Sequence, residues 1–209
     1  MKVHITKHSD NTKMENLKSI STSCQTCKRC KARAEIKGTI CSHCYADTYL
    51  KLRPTLRKAL ERNTELLTAR PLEETEIPKI YDLYFRFESF GDLHNEVQFE
   101  NYLSIVKANS CTTFTIWTKN PDIMHNVFKG DPNAKPKNLI IVFSGLWTDK
   151  ANTIPKEYEY FIDKVFNVWT SETIASENGK AINCGKRHCM ECKLCYTHNE
   201  VKEINELLK

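Results

Sequence analysis

With 209 residues, 40% of them hydrophobic, and a formal charge of +5, the chain suits one well-buried core and is too short for two comfortable ones. Its polar opening, MKVHITKHSDNTKMENLKS, argues against a secretory signal, and no apolar run is long enough to span a bilayer, so a cytoplasmic protein without a membrane partner is expected. Ten cysteines in such a chain point away from a disulfide framework and towards metal binding, because the cytosol keeps thiols reduced.

In chain order, residues 1–23 read as a polar lead-in and 24–46 as a cysteine-rich segment. The interval from Cys24 to Arg62 holds ten Lys or Arg against three acidic residues. That excess fits a nucleic-acid partner at the basic N-terminal third. It equally fits Lys28, Arg29, Lys31 and Arg33 offsetting the negative charge of metal-bound thiolates, and the second account is preferred. PTLRKALERNTELL then places Leu56, Ala59, Leu60 and Leu67 at helical spacing, with Pro54 in the first turn. An acidic, proline-flanked linker ends that helix.

Residues 79–171 alternate. YDLYFRFES reads as a strand, NEVQFENYLSIVKAN as a helix, TTFTIWTK as a strand and PDIMHNVFK as a short helix. NLIIVFSGL is a third strand; PKEYEYFIDKV predicts a helix with Tyr158, Phe161, Ile162 and Val165 on one face, and FNVWTS a fourth strand. This order predicts an α/β single domain with a mostly parallel sheet of about four βα units, flanked by cysteine-rich N- and C-terminal segments. A second cysteine segment covers 184–195. Val201, Ile204 and Leu208 suggest a terminal helix over 198–208.

Nine of the ten cysteines fall into the two segments: Cys24, Cys27, Cys30, Cys41 and Cys44 in CQTCKRCKARAEIKGTICSHC, and Cys184, Cys189, Cys192 and Cys195 in CGKRHCMECKLC. Two intervening residues let neighbouring thiolates address one centre while turn amides face the sulfurs. Structural zinc commonly takes separated Cys-x-x-Cys pairs, whereas the continuous Cys-x-x-Cys-x-x-Cys run, present twice, suits a [4Fe-4S] cluster. Iron is therefore expected, with zinc as the alternative. Both segments should reach the carboxyl rim of the sheet, forming one shared cluster or two adjacent ones. Cys111, alone at the start of a predicted strand, reads as a buried core residue.

The same rim should carry function, because the connections beyond the carboxyl ends of parallel strands are free to vary. Glu88, Ser89, Asp92 and His94 follow the first predicted strand and Lys119 the second. Those five are the candidate catalytic residues for an unidentified small-molecule substrate, in hydrolase (esterase-type) or redox chemistry. No Gly-x-Ser-x-Gly elbow supports a serine triad. Each also has a plain structural reading, such as Asp92 capping the next helix. Electron transfer or redox sensing needs only a fully cysteine-ligated cluster, and a metal-stabilised nucleic-acid module remains the other class.

The runs CSHCYADTYL and LRKALERN, then RFESFGDLHNEVQFENYLSIVKANSCTTFTIWTKNP and the closing CGKRHCMECKLC, resemble the phage "gene product 88" family over most of the chain. The resemblance implies a virus-encoded, cluster-binding protein of the host cytoplasm, built like part of the barrel of radical S-adenosylmethionine enzymes. Those enzymes use Cys-x-x-x-Cys-x-x-Cys, whereas this sequence has CQTCKRC and CSHC.

Overall fold

The structure, a computed structural model, describes residues 2–10, 12–176, 181–185 and 187–208, so Lys186 of the second cysteine segment lies outside the described residues. Seven strands form one sheet in sequential order: β1 (Thr6–Lys7), β2 (Lys18–Ile20), β3 (Tyr84–Phe87), β4 (Thr113–Thr118), β5 (Leu139–Thr148), β6 (Lys164–Trp169) and β7 (Glu203–Leu207). Among the described residues the β1–β2 strand pair is antiparallel and the other strand pairs are parallel. The described helices are α1 (Lys28–Ala34), α2 (Tyr45–Lys51), α3 (Pro54–Ala69), α4 (Glu96–Ala108), α5 (Pro121–Phe128), α6 (Ser171–Ser176) and α7 (Cys189–Cys192).

Strand alternation splits the core in two. Phe85, Phe87, Phe114, Ile116, Leu139 and Ile141 face one way and pack against Leu67 of α3, Phe99 and Val106 of α4, and Ile123 and Phe128 of α5. On the opposite face Tyr84, Trp117, Ile140, Val142, Phe166 and Ile204 pack against Leu17, Leu194, Cys195 and Tyr196. Helices thus cover one face, and the second cysteine segment covers the other. As LIIVF implied, Leu139–Val142 are buried on both sides.

Several local expectations are overturned. The lead-in is not an appendage: it supplies β1 and β2, and Leu17 and Ile20 are fully buried. Its polarity concealed this because the buried Ser and Thr groups are partnered. The Ser21 hydroxyl accepts from Ser89 N at 2.8 Å, Asn63 donates to Ser21 O at 3.0 Å, and Ser23 N donates to the Thr64 hydroxyl at 3.0 Å. Residues 203–207 form the edge strand β7 rather than a helix, since parallel pairing with β6 satisfies their backbone and buries Ile204. The helix expected over PKEYEYFIDKV is only a 3-10 turn at Lys156–Tyr158, although Phe161 and Ile162 still reach the core. Cys111 is exposed in the turn that precedes β4, not buried.

Gly145 lies in β5 where the register with β6 shifts between Ser144 and Thr148. A Cβ there would sit 1.8 Å from the Asn152 amide nitrogen, and that amide is tethered, donating to Asn167 Oδ1 at 2.8 Å. Gly145→Ala is therefore expected to cost about 1–3 kcal/mol through overpacking. An unchanged urea midpoint would mean that Asn152 swings aside freely.

Candidate metal centres

The first cysteine segment wraps the carboxyl rim, as its position before β3 suggested. Arg29 of α1 donates to both Asp122 carboxylate oxygens at 2.9 and 2.8 Å and to Asn120 Oδ1 at 3.3 Å. Arg33 donates to Lys119 O at 3.2 Å. Cys24 N donates to Phe90 O at 3.0 Å, and Thr148 N to Gly38 O at 3.1 Å. Each acceptor or donor on the sheet side follows β3 or β4 or ends β5, so one polar strap crosses three strand ends.

Cys27 caps α1, its sulfur accepting from Cys30 N at 3.3 Å, and Cys44 holds the N-cap position of α2 without a side-chain cap hydrogen bond. The Cys27 thiol is lowered first by a hydrogen bond from the Cys30 thiol, with the Cys30 and Arg29 amides adding to it. Cys44 is lowered first by the Cys24 thiol, with the Asp47 and Ala46 amides also helping. The donors Cys24 and Cys30 are correspondingly raised by the same pairing and by burial. Amides aimed at sulfur favour thiolate, the form that binds metal. Cys41 stands to the side: burial raises its thiol, while Lys119 and Arg33 oppose the rise.

Of the five rim candidates, Asp92 and Lys119 face this group. Asp92 does not cap the next helix; Asn95 does, through Gln98 N at 3.0 Å. Instead Asp92 accepts from the Thr118 hydroxyl at 2.6 Å and Lys119 N at 3.0 Å, with Arg33 at 3.8 Å, locking the ends of β3 and β4 together. Lys119 Nζ reaches the Ser144 hydroxyl at 3.0 Å. Ser89 is buried, its carbonyl accepting from the Tyr45 hydroxyl. Burial lowers His94, whose Nε2 is inaccessible and without a hydrogen-bond partner among the described residues. Glu88 lies deeper still, 2% exposed, and is a core residue.

The second segment does not share the rim. Cys184 bridges to Glu206 of β7, Cys189 N donates to Lys13 O at 2.7 Å, and the Thr115 hydroxyl in mid-β4 donates to Cys195 O at 3.1 Å. Its four cysteines line one cleft on the sheet's second face, together with Lys13, Arg187, Lys193 and Tyr196. Lys13 donates to Cys184 Sγ at 2.9 Å and to Glu206 at 2.5 Å. Burial raises the Cys184, Cys189 and Cys195 thiols, and Lys13 opposes this at all three. The chain turns through left-handed backbone at Gly185 (φ 114°) and Lys193 (φ 53°) to bring these sulfurs round.

Arg86 was missed in the sequence, although an arginine alternating with phenylalanines in YFRF is a signal. Its guanidinium lies 3.9 Å from the Trp117 ring centre and donates to Met14 Sδ at 3.5 Å, with Nε buried and unpartnered. No carboxylate pairs with it among the described residues. Burial works against its charge, and Tyr196, Tyr45, Cys189 and Cys195 favour it.

Among the described residues no three His, Cys, Asp or Glu side chains close on one point as a single bound ion would require. A cavity of about 430 Å³ lies between Lys2–Ile5 and Ala59, Arg62 and Asn63, and is lined by no cysteine. No described helix is long and apolar enough to cross a membrane. No curated protein and no solved structure matches the chain. Residues 4–205 do match the model of the gene product 88 family, and over that span the chain belongs to it.

Proposed function

We propose that this is an iron-sulfur protein with two separate [4Fe-4S] sites, and that the rim site is its working centre. The observation that carries the reading is the sorting of nine thiols into two groups, with a cation that no carboxylate pairs among the described residues beside each: Lys119 at the rim, whose Nζ reaches the Ser144 hydroxyl, and Arg86 at the face. Arg86 is the sharpest case: a partly buried guanidinium is costly unless an anion accompanies it, and its charge is favoured by Tyr196 and Tyr45 and then by Cys189 and Cys195. A thiolate-bound cluster supplies that negative charge. Cluster ligation takes the thiolate form, so assembly would release the protons of the rim thiols.

The rim differs from the face in having five thiols and a set of polar groups. Cys24, Cys27, Cys30 and Cys44 form the inner set, and Cys41 lies towards Lys119 and Arg33. A bound cluster would supply one-electron chemistry or a Lewis-acidic iron. Lys119 and the Ser144 hydroxyl would hold a polar group of a small substrate, and Asp92 fixes Lys119 through its backbone amide.

Anaerobic purification with a visible spectrum and iron, sulfide and zinc analysis tests this. About eight irons per chain are expected from two four-iron clusters. Colourless protein with stoichiometric zinc and no iron would sink the reading.

A further inference from the structure

We infer that the cavity between the amino-terminal segment and α3 binds a small organic phosphate monoester. Its volume is about 430 Å³, and Lys2, His4 and Arg62 line it, with no acidic residue and no cysteine among the lining groups. A pocket of this size accommodates a small organic molecule rather than a bare ion. The site is separate from both cysteine groups, so the inference stands or falls without any metal.

Charge sets the class of ligand. Among the described residues the side chains of Lys2, His4 and Arg62 have no hydrogen bond and no carboxylate partner. Other arginines of α3 and its end are matched: Arg57 pairs with Glu61 at 3.8 Å and Arg70 with Glu76 at 2.7 Å. Burial and then Arg62 lower the His4 imidazole, and no carboxylate works the other way. Cations gathered without counter-charge repel one another, and an anion among them relieves the repulsion. A guanidinium and an ammonium lining one cavity suit phosphate, whose oxygens can take the Arg62 fork while Lys2 supplies a point charge.

The walls are fixed before any ligand arrives. Buried Asn63 accepts from His4 N at 2.8 Å and donates to His4 O at 2.9 Å and to Ser21 O at 3.0 Å, locking the amino-terminal segment onto α3. Binding therefore loses less entropy to ordering the site. Val3 belongs to the main core and Ile5 packs against it. Ala59, one turn before Asn63, contributes only a methyl group, which leaves the space open. These three give the cavity an apolar side, so a monoester carrying an apolar ring has more surface to bury there than inorganic phosphate has.

Isothermal titration calorimetry of the full chain with phenyl phosphate tests this, with inorganic phosphate and phenol as controls. Phenyl phosphate is expected to bind more tightly than inorganic phosphate, and phenol not at all. In amide NMR spectra the ligand-induced shifts should gather at residues 2–5 and 59–63. Arg62→Gln should weaken phenyl phosphate about tenfold or more, the effect of losing hydrogen bonds to a charged group, and leave the melting temperature unchanged because Arg62 is exposed. Should that variant disturb the fold, Lys2→Gln, at another exposed position, takes its place with the same expected direction. Absence of binding, shifts centred elsewhere, or undiminished affinity in the variant overturns the inference. Equal affinity for inorganic phosphate overturns the assignment of a monoester.

Discussion

On the proposed cluster reading, anaerobic treatment with a chelator is expected to lower the melting temperature sharply and to change the fluorescence of Trp117. The reason is the uneven covering of the sheet. Three helices bury one face without help. On the other face, Trp117, Tyr84, Ile140, Val142 and Phe166 are covered largely by residues around Leu17 and by the segment carrying Cys184–Tyr196. Among its described residues that segment has the four-residue helix α7 and left-handed backbone at Gly185 and Lys193, so its shape depends mainly on contacts with the sheet. Metal binding to such a knuckle is folding free energy, on the order of 10 kcal/mol for structural sites, comparable with the whole stability of a domain. Cys189→Ser with Cys192→Ser should reproduce the loss, and a melting temperature indifferent to chelation would show that the cover holds without metal.

A second large effect is expected at Glu88. Its carboxyl is fully enclosed and accepts from the Tyr102 hydroxyl, from Gln98 Nε2 at 2.6 Å and from Thr22 N and Oγ1. Its backbone is left-handed, φ 59°, a strain that persists only because the surroundings fix it. Gly91 must be glycine here, since a Cβ would lie 2.6 Å from Glu88 Oε2 and from Thr22 O. Burial pushes the carboxyl up to about 8, opposed by the donors from Tyr102 and Thr22 and reinforced by Asp92.

The folded state therefore holds the Glu88 proton more tightly than the unfolded chain, whose carboxyl titrates near 4.5. This stabilisation is complete below pH 4.5 and is lost as pH rises to about 8. The slope approaches about 1.4 kcal/mol per pH unit. Glu88→Gln keeps the shape and removes the proton, so its denaturant midpoint should lose this share of the pH dependence. Glu88→Ala instead leaves Tyr102 and Gln98 without their acceptor and should cost about 3–5 kcal/mol, roughly 10 °C in a chain of this size. Parallel pH profiles for the parent and the Gln variant would place the proton elsewhere.

Pattern in the sequence located what depends on local spacing. The apolar and β-branched runs around 84–87, 113–118, 139–148 and 164–169 are strands, and prolines at 54 and 121 open helices. The alternating order was enough to specify a mostly parallel α/β sheet. The polar residues after β3 and β4 do gather on one rim, and the first cysteine group does lie there. Where local pattern was weak, it misled. Ser19, Ser21, Thr22 and Ser23 look solvent-exposed in a string of letters, yet partners on α3 and after β3 make their burial affordable. Ile204 and Leu208 share a helical stripe, but an open edge on β6 offered the backbone better pairing.

The nine cysteines and their Cys-x-x-Cys spacing were determined by the sequence alone, together with the expectation of metal. Only the tertiary structure decided that they lie in two places, because a segment leaving β6 can either stay at the rim or cross the sheet, and spacing does not distinguish the two. Leu194, Cys195 and Tyr196 decide it by burying against Trp117, Ile140 and Val142, a face that the helices leave bare. The same long-range packing lays the Arg86 guanidinium over the Trp117 ring of the next strand, a juxtaposition that no local period encodes.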